Sequence, residues 1–260
     1  MDKKLSMTYF LSAGETNAEA EASLPLLTSR IIDISTAHAN ALGIGNPAME
    51  HMGCGWVLSR LALEMFQYPR VNETYRLTTW IESYNRHFSE RIVQVSTIDD
   101  KPLGFSRAIW MVLDYNTRES VGLGHLNVEP DLIMPGQCPV APVSKHVPVL
   151  PADYHGVPPR GAVVANARPI DYRYKYCDLD FYRHVNTVRY VELMLNRFDL
   201  AQFDETRIRR MELAFLRESH YGQEVTVLRH DDGMRSHITI CDKATGESSL
   251  MASLLREKRL

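Results

Sequence analysis

One pattern constrains the fold of this chain more than any other: a segment of helical apolar periodicity followed by four strand-like segments occurs twice. In its first occurrence, "LPLLTSRIIDISTAHANAL" brings Leu27, Ile31, Ile34 and Ala41 together at helical spacing. Leu24 and Ile32 widen the stripe, and Gly43 is a natural stop. Four segments rich in β-branched and aromatic residues follow: "GWVLSRLALEMFQYP", "ETYRLTTWIESYNR", "SERIVQVSTID" and "GFSRAIWMVLDYN". Turn formers such as Asn72, Asp99, Asp100 and Asn116 separate them. In the second occurrence, "PIDYRYKYCDLD" alternates like a strand and "NTVRYVELMLNRF" aligns Val188, Val191, Leu195 and Phe198. "RIRRMELAFLRES", "QEVTVLRH", "RSHITICDK" and "SSLMASLLREK" then read as strands, with "DDG" at Asp231 to Gly233 marking a hairpin. A helix with an apolar stripe must bury it, and the concave face of the adjoining sheet is the nearest apolar surface. The expectation is an α+β chain of two similar domains, residues 1–134 and 166–260, each a long helix wrapped by antiparallel sheet. The proline-rich stretch 135–165 reads as an extended linker between them.

Composition narrows the function classes. A chain of 260 residues, 45% hydrophobic and 23% charged, is an ordinary globular protein with room for two domains. Its formal net charge of -3 and pI near 6.4 argue against a nucleic-acid partner. The four cysteines, Cys54, Cys138, Cys177 and Cys241, form no CxxC pair, so neither a zinc site nor a disulfide framework is expected. No run is apolar enough for a membrane span, and the N-terminal residues resemble neither a signal nor a transit peptide. A cytoplasmic location is the expectation.

The chemistry concentrates in "CDLDFYRHVNTVRY", Cys177 to Tyr190. Asn186 stands where it can cap the second helix, and Asp178 and Asp180 lie at the positive end of that helix dipole. Capping and turn-making compete here with a catalytic reading. "DLDFYRHVNTVRYVE" resembles the motif of hot-dog-fold thioesterases, in which an aspartate, a histidine, Val-Asn and a tyrosine open the central helix. With "WVLSRLALEMFQYPRVNETYRLTTWIES" and "MELAFLRESHYGQEV", the chain from about Thr28 to Leu255 is similar to the acyl-acyl carrier protein thioesterases of plants and bacteria, which hold two tandem hot-dog domains.

The resemblance implies hydrolysis of the thioester joining a fatty acyl chain to acyl carrier protein, releasing free fatty acid and ending its synthesis, with no cofactor and no metal. The family's catalytic aspartate falls on Asp180, its histidine on His184, and its glutamate, expected on the strand after the helix, on Glu218. Two positions depart from the pattern. Tyr182 stands where the family has asparagine, and Ser219 follows the glutamate where many plant members have cysteine. Tyr182 turns away, replaces the amide with its hydroxyl, or lowers activity. An Asn-His-Cys triad is excluded, and a carboxylate mechanism is left: Glu218 as general base on water with His184 and Asp180 in support, or direct attack through an anhydride. Backbone N–H groups of Val185, Asn186 and Thr187, at the start of the helix, are the expected oxyanion donors.

Cys177, beside the motif, reads as a small buried residue rather than a nucleophile. The first half has histidines, His38, His51 and His87, but no aspartate-histidine constellation. Met49, Met52 and Trp56 are candidates for the wall of an acyl pocket there, against plain core packing. Basic residues near the motif, Arg173, Lys175, Arg183 and Arg189, with Arg207, Arg209 and Arg210, are candidates for docking an acidic carrier protein, against an ordinary solvated face. Acyl-CoA hydrolysis, dehydratase activity and non-catalytic acyl binding are the alternatives, and both monomer and homodimer are compatible with tandem domains.

Overall fold

The computed structural model describes residues 2–124, 126 and 128–259. The chain divides into two compact units, Met1–Val143 and Ser144–Leu260. The division falls inside the proline-rich stretch because its two ends are bound to different units. Val140 packs with Trp80, Ile92 and Phe105, and Arg107 Nε donates to the Val140 carbonyl at 2.6 Å. Further on, the Val149 N–H donates to Thr239 Oγ1 at 2.9 Å, and β6 (Val149–Leu150) pairs in parallel with β7 (Val163–Val164).

Among the described residues, the first unit holds five strands, β1 (Lys4–Phe10), β2 (Cys54–Met65), β3 (Thr74–Tyr84), β4 (Ser89–Thr97) and β5 (Pro102–Asp114), in the antiparallel order β1-β3-β4-β5-β2. Strand β1 was not anticipated, although its residues alternate half-buried and exposed along its length. Helix α1 (Leu24–Ala41) packs on β1, β3 and β4. Ser23 caps it by accepting from the Leu26 N–H, and Gly43 ends it at φ +73°, a conformation that favours glycine. Leu24, Leu27, Ile31 and Ile34 are buried as expected. Ala41 is exposed instead, because the last turn buries Ala39 and leaves Ala41 on the opposite side. A short helix, α2 (Asn46–His51), follows.

The second unit repeats this plan element for element. Strands β8 (Ile170–Arg173), β9 (Thr206–Phe215), β10 (Glu224–Asp232), β11 (Arg235–Asp242) and β12 (Ser248–Lys258) form the antiparallel order β8-β10-β11-β12-β9. The β10–β11 hairpin closes on the expected "DDG", with Gly233 at φ +60°. Helix α3 (Thr187–Leu195) buries Tyr190, Val191 and Met194, and the Tyr190 ring lies edge-on to Tyr174 and to Phe215 of β9. Helix α4 (Leu200–Glu205) corresponds to α2. The expected strand through "PIDYRYKYCDLD" stops at Arg173, and a 3-10 turn at Tyr176–Asp178 takes over. Cys177 is therefore exposed, not buried as on an alternating strand.

Polar residues also enter the buried side of α1. His38 Nδ1 accepts from Arg91 Nη1 at 2.6 Å, and its other ring nitrogen is 3.2 Å from the Asp2 carbonyl, which defines a neutral tautomer. Burial, and then the Arg91 charge, pull the His38 pKa down from 6.5 to about 4. The unfolded chain thus binds a proton that the folded one refuses, so His38 makes the first unit less stable as pH falls from 6.5 towards about 4. Thermal denaturation across that interval is expected to show this loss, and His38→Gln to flatten it.

Candidate active site

The polar motif folds into a loop built by its own main chain. The Lys175 N–H donates to Asp178 Oδ2 at 2.6 Å, which closes the 3-10 turn. Leu179 and Val185 then form an antiparallel bridge, and the Asp180 N–H donates to the His184 carbonyl at 2.8 Å. Inside this small circuit, Asp180 Oδ1 accepts from the backbone N–H groups of Tyr182 (2.9 Å) and His184 (3.1 Å). Such self-bonding is the habit of Asp and Asn in turns. It holds Arg183 at φ +64°, a conformation costing a residue with a Cβ about 1–3 kcal/mol.

A second loop is sutured to the first. The Val185 N–H donates to the Ser219 carbonyl at 2.8 Å, and His184 pairs with His220 in an antiparallel bridge. Side chains alternate across this pairing. Ser219 points inward and is 0% exposed, while Glu218 and His220 lie on the side of His184. His184 Nδ1 is 3.4 Å from Glu218 Oε1, with side-chain exposures of 24% and 34%. Glu218 is not on a strand as expected, because β9 ends at Phe215. It stands in the loop that follows, where the bridge to His184 replaces regular pairing.

The first unit contains the same loop with different side chains. Asn17 takes the place of Asp180: its N–H donates to the Glu21 carbonyl at 2.8 Å, and its Oδ1 accepts from the N–H groups of Glu19 (3.1 Å) and Glu21 (2.9 Å). Ala20 has φ +57° where Arg183 has +64°. The Ala22 N–H donates to the Pro69 carbonyl, and Glu21 bridges Arg70 as His184 bridges His220. Glu21, Tyr68 and Arg70 therefore occupy the places of His184, Glu218 and His220. This correspondence was missed in the sequence. Its signal is a constant offset of 163 positions linking acid Glu15 to Asp178, Asn17 to Asp180, and the cap Ser23 to Asn186.

Of the expected oxyanion donors, Val185 and Asn186 are already committed, to the carbonyls of Ser219 and Asp178. The Val188 N–H is capped by Asn186 Oδ1 at 3.0 Å. That leaves the Thr187 N–H as the amide of this turn without a protein acceptor among the described residues, at the positive end of α3. Tyr182 is exposed and its ring lies against Phe181, with centroids 3.9 Å apart, at the outer end of the loop.

Met49 is fully buried in a cluster with Ile44, Ile81, Val112 and Leu132, and Trp56 packs against it with Nε1 donating to the Ile44 carbonyl at 2.6 Å. Met52 is exposed and does not join that cluster. Among the basic candidates, Arg173, Lys175 and Arg183 are exposed, while Arg189 is held by Glu192 (2.6 Å) and the Cys177 carbonyl (3.1 Å). Arg207 and Arg209 pair with Glu257, and buried Arg210 pairs with Glu212.

Residues 2–128 match the family model described as acyl-ACP thioesterase N-terminal domain, and residues 163–252 match the acyl-ACP thioesterase C-terminal domain. Among curated proteins, the chain is 22% identical to the chloroplastic acyl-[acyl-carrier-protein] hydrolase FATB3 of Cuphea viscosissima, across 96% of this chain and 58% of that one. It is 21% identical to the chloroplastic oleoyl-acyl carrier protein thioesterase 1 of Arabidopsis thaliana, across 82% and 60%. The chain thus spans about three-fifths of the length of these relatives. Among solved structures, an acyl-ACP thioesterase from Bacteroides thetaiotaomicron superimposes with a TM-score of 0.86 at 25% identity, over 98% of both chains. The 12:0-ACP thioesterase from Umbellularia californica gives 0.79 at 16% identity, over 100% and 99%.

Because Asn17 makes with a neutral amide the bonds that Asp180 makes with a carboxylate, the loop needs an acceptor and not a charge. Asp180→Asn is expected to leave the thermal midpoint of the second unit close to wild type. Asp180→Ala removes two hydrogen bonds of about 1 kcal/mol each and should lower it. Equal losses in both variants would contradict this.

Proposed function

The chain belongs to the acyl-ACP thioesterase family, and on that premise we propose that it hydrolyses the thioester between a fatty acyl chain and the phosphopantetheine arm of acyl carrier protein. The observation that carries this reading is the 3.4 Å approach of His184 Nδ1 to Glu218 Oε1 beside the start of α3. Glu218 acts as general base: its carboxylate takes a proton as a water oxygen attacks the thioester carbonyl. His184, within reach, orients that carboxylate and relays the proton to the departing sulfur. The oxyanion forms against the Thr187 N–H, where the α3 dipole favours negative charge. Asp180 serves by positioning, since its bonds run to the His184 and Tyr182 amides. Tyr182 stays outside the chemistry, consistent with its exposed ring at the loop's outer end.

The methionine-bearing cluster around Met49 and Trp56 is the proposed acyl wall, with Met52 left out of it by its exposure. Arg173, Lys175 and Arg183 are the proposed docking cations for the acidic carrier. Four free cysteines accord with a reducing cytoplasm, and among the described residues no helix is long and apolar enough to cross a membrane.

Glu218→Gln should lower kcat on acyl carrier protein thioesters by about 100-fold or more while carrier binding persists. Absence of turnover by wild type on every chain length tested would reject the hydrolase reading. Charge reversal at Lys175 and Arg183 is expected to raise KM for the carrier substrate and weaken its salt dependence, with kcat little changed. An unaltered KM would exclude these cations from docking.

A further inference from the structure

The suture between the two loops places a third potential ligand beside the His184–Glu218 pair. His220 stands directly opposite His184 in the bridge, and Glu218, two residues earlier on the same segment, faces the same side. One ligand atom from each of the three lies within 4.8 Å of the other two, and the imidazole rings of His184 and His220 are 5.1 Å apart and nearly perpendicular. Two neutral imidazoles and a carboxylate form the ligand set of an open zinc site, which needs three protein ligands and leaves the fourth position to water. Tetrahedral coordination at about 2.0–2.1 Å separates neighbouring ligand atoms by about 3.3 Å, and His184 Nδ1 and Glu218 Oε1 already stand at 3.4 Å. His220 is exposed, so rotation of its side chain can supply the remaining closure without moving the core. The backbone needs no rearrangement, because the bridge and the Val185–Ser219 hydrogen bond already hold both segments. The first unit offers an internal contrast: its equivalent positions are Glu21, Tyr68 and Arg70, and a guanidinium in place of His220 cannot ligate a cation.

We propose that His184, Glu218 and His220 form a binding site for a divalent transition cation of the zinc type, and that occupancy shuts the hydrolase down. The inhibitory part rests on the role proposed for Glu218 and His184. A bound cation takes the lone pairs that the general base and its partner use, so water can no longer surrender its proton to Glu218. His220 has no part in the reaction itself. It is the residue that turns an acid–base pair into a metal-sensitive one.

The test uses the full chain, stripped with chelator, in a Cys177→Ser background so that the exposed thiol contributes no ligand. Titration with Co²⁺, read by its visible absorption, is expected to show one ion per chain, lost in His220→Ala and in Glu218→Gln. Hydrolysis of an acyl carrier protein thioester should fall on addition of Zn²⁺ and return with EDTA. In His220→Ala the metal-free rate should stay near the parent's while the Zn²⁺ needed for inhibition rises about tenfold or more, the scale on which lost metal-site interactions act. His220→Gln serves if the alanine variant loses its fold. Stoichiometric binding that survives the loss of His220, zinc occupancy without effect on rate, or stimulation by zinc would each overturn the proposal. Metal-free protein that binds Co²⁺ at this site yet hydrolyses nothing would instead reject the hydrolase reading and leave the metal site standing.

Discussion

The antiparallel pairing of His184 with His220, two loop residues held by main-chain contact, is the constraint on which the rest of the site depends. It joins segments more than thirty residues apart and does so with backbone groups, above all the Val185–Ser219 hydrogen bond. Because the backbone does the holding, the side chains need not be buried to be ordered. Alternation then sorts them: Ser219 goes to the interior, and Glu218 and His220 turn to the side of His184. A carboxylate and an imidazole are thereby kept together while still partly open to solvent.

The same suture in the first unit separates scaffold from chemistry. Asn17, Ala20, Glu21 and Arg70 reproduce the hydrogen bonds, the left-handed residue and the bridge, yet Glu21 and Tyr68 stand where His184 and Glu218 do, so the imidazole–carboxylate pair is absent there. One backbone arrangement thus carries two different sets of side chains within one chain. The comparison also recasts Asp180. A residue whose bracket is matched by an asparagine elsewhere in the molecule is valued for its acceptor oxygen, so the negative charge is incidental to the geometry it maintains.

Strain and exposure follow from the same loop. In the two equivalent loops, Ala20 and Arg183 sit at positive φ, between the Asx bracket and the flanking bridge that close each turn. The turn throws Phe181 and Tyr182 outward, where their rings cover one another.

The sequence by itself determined the duplicated α+β plan, the four strands that follow the helices in each unit, the stop at Gly43 and the hairpin at Gly233. These depend on local periodicity and on backbone preferences carried by a few neighbouring residues. It also singled out Asp180, His184 and Glu218, through a motif whose residues are close in the chain or at family spacing. Tertiary structure alone decided what those residues meet. Val185 and Asn186 lose their amides to the carbonyls of distant or preceding loops, Glu218 leaves its strand, Ala41 and Cys177 turn to solvent, and His220 arrives beside His184. Each of these outcomes depends on a partner supplied by another segment of the fold, and a one-dimensional pattern records spacing along the chain but not which segments come to lie side by side.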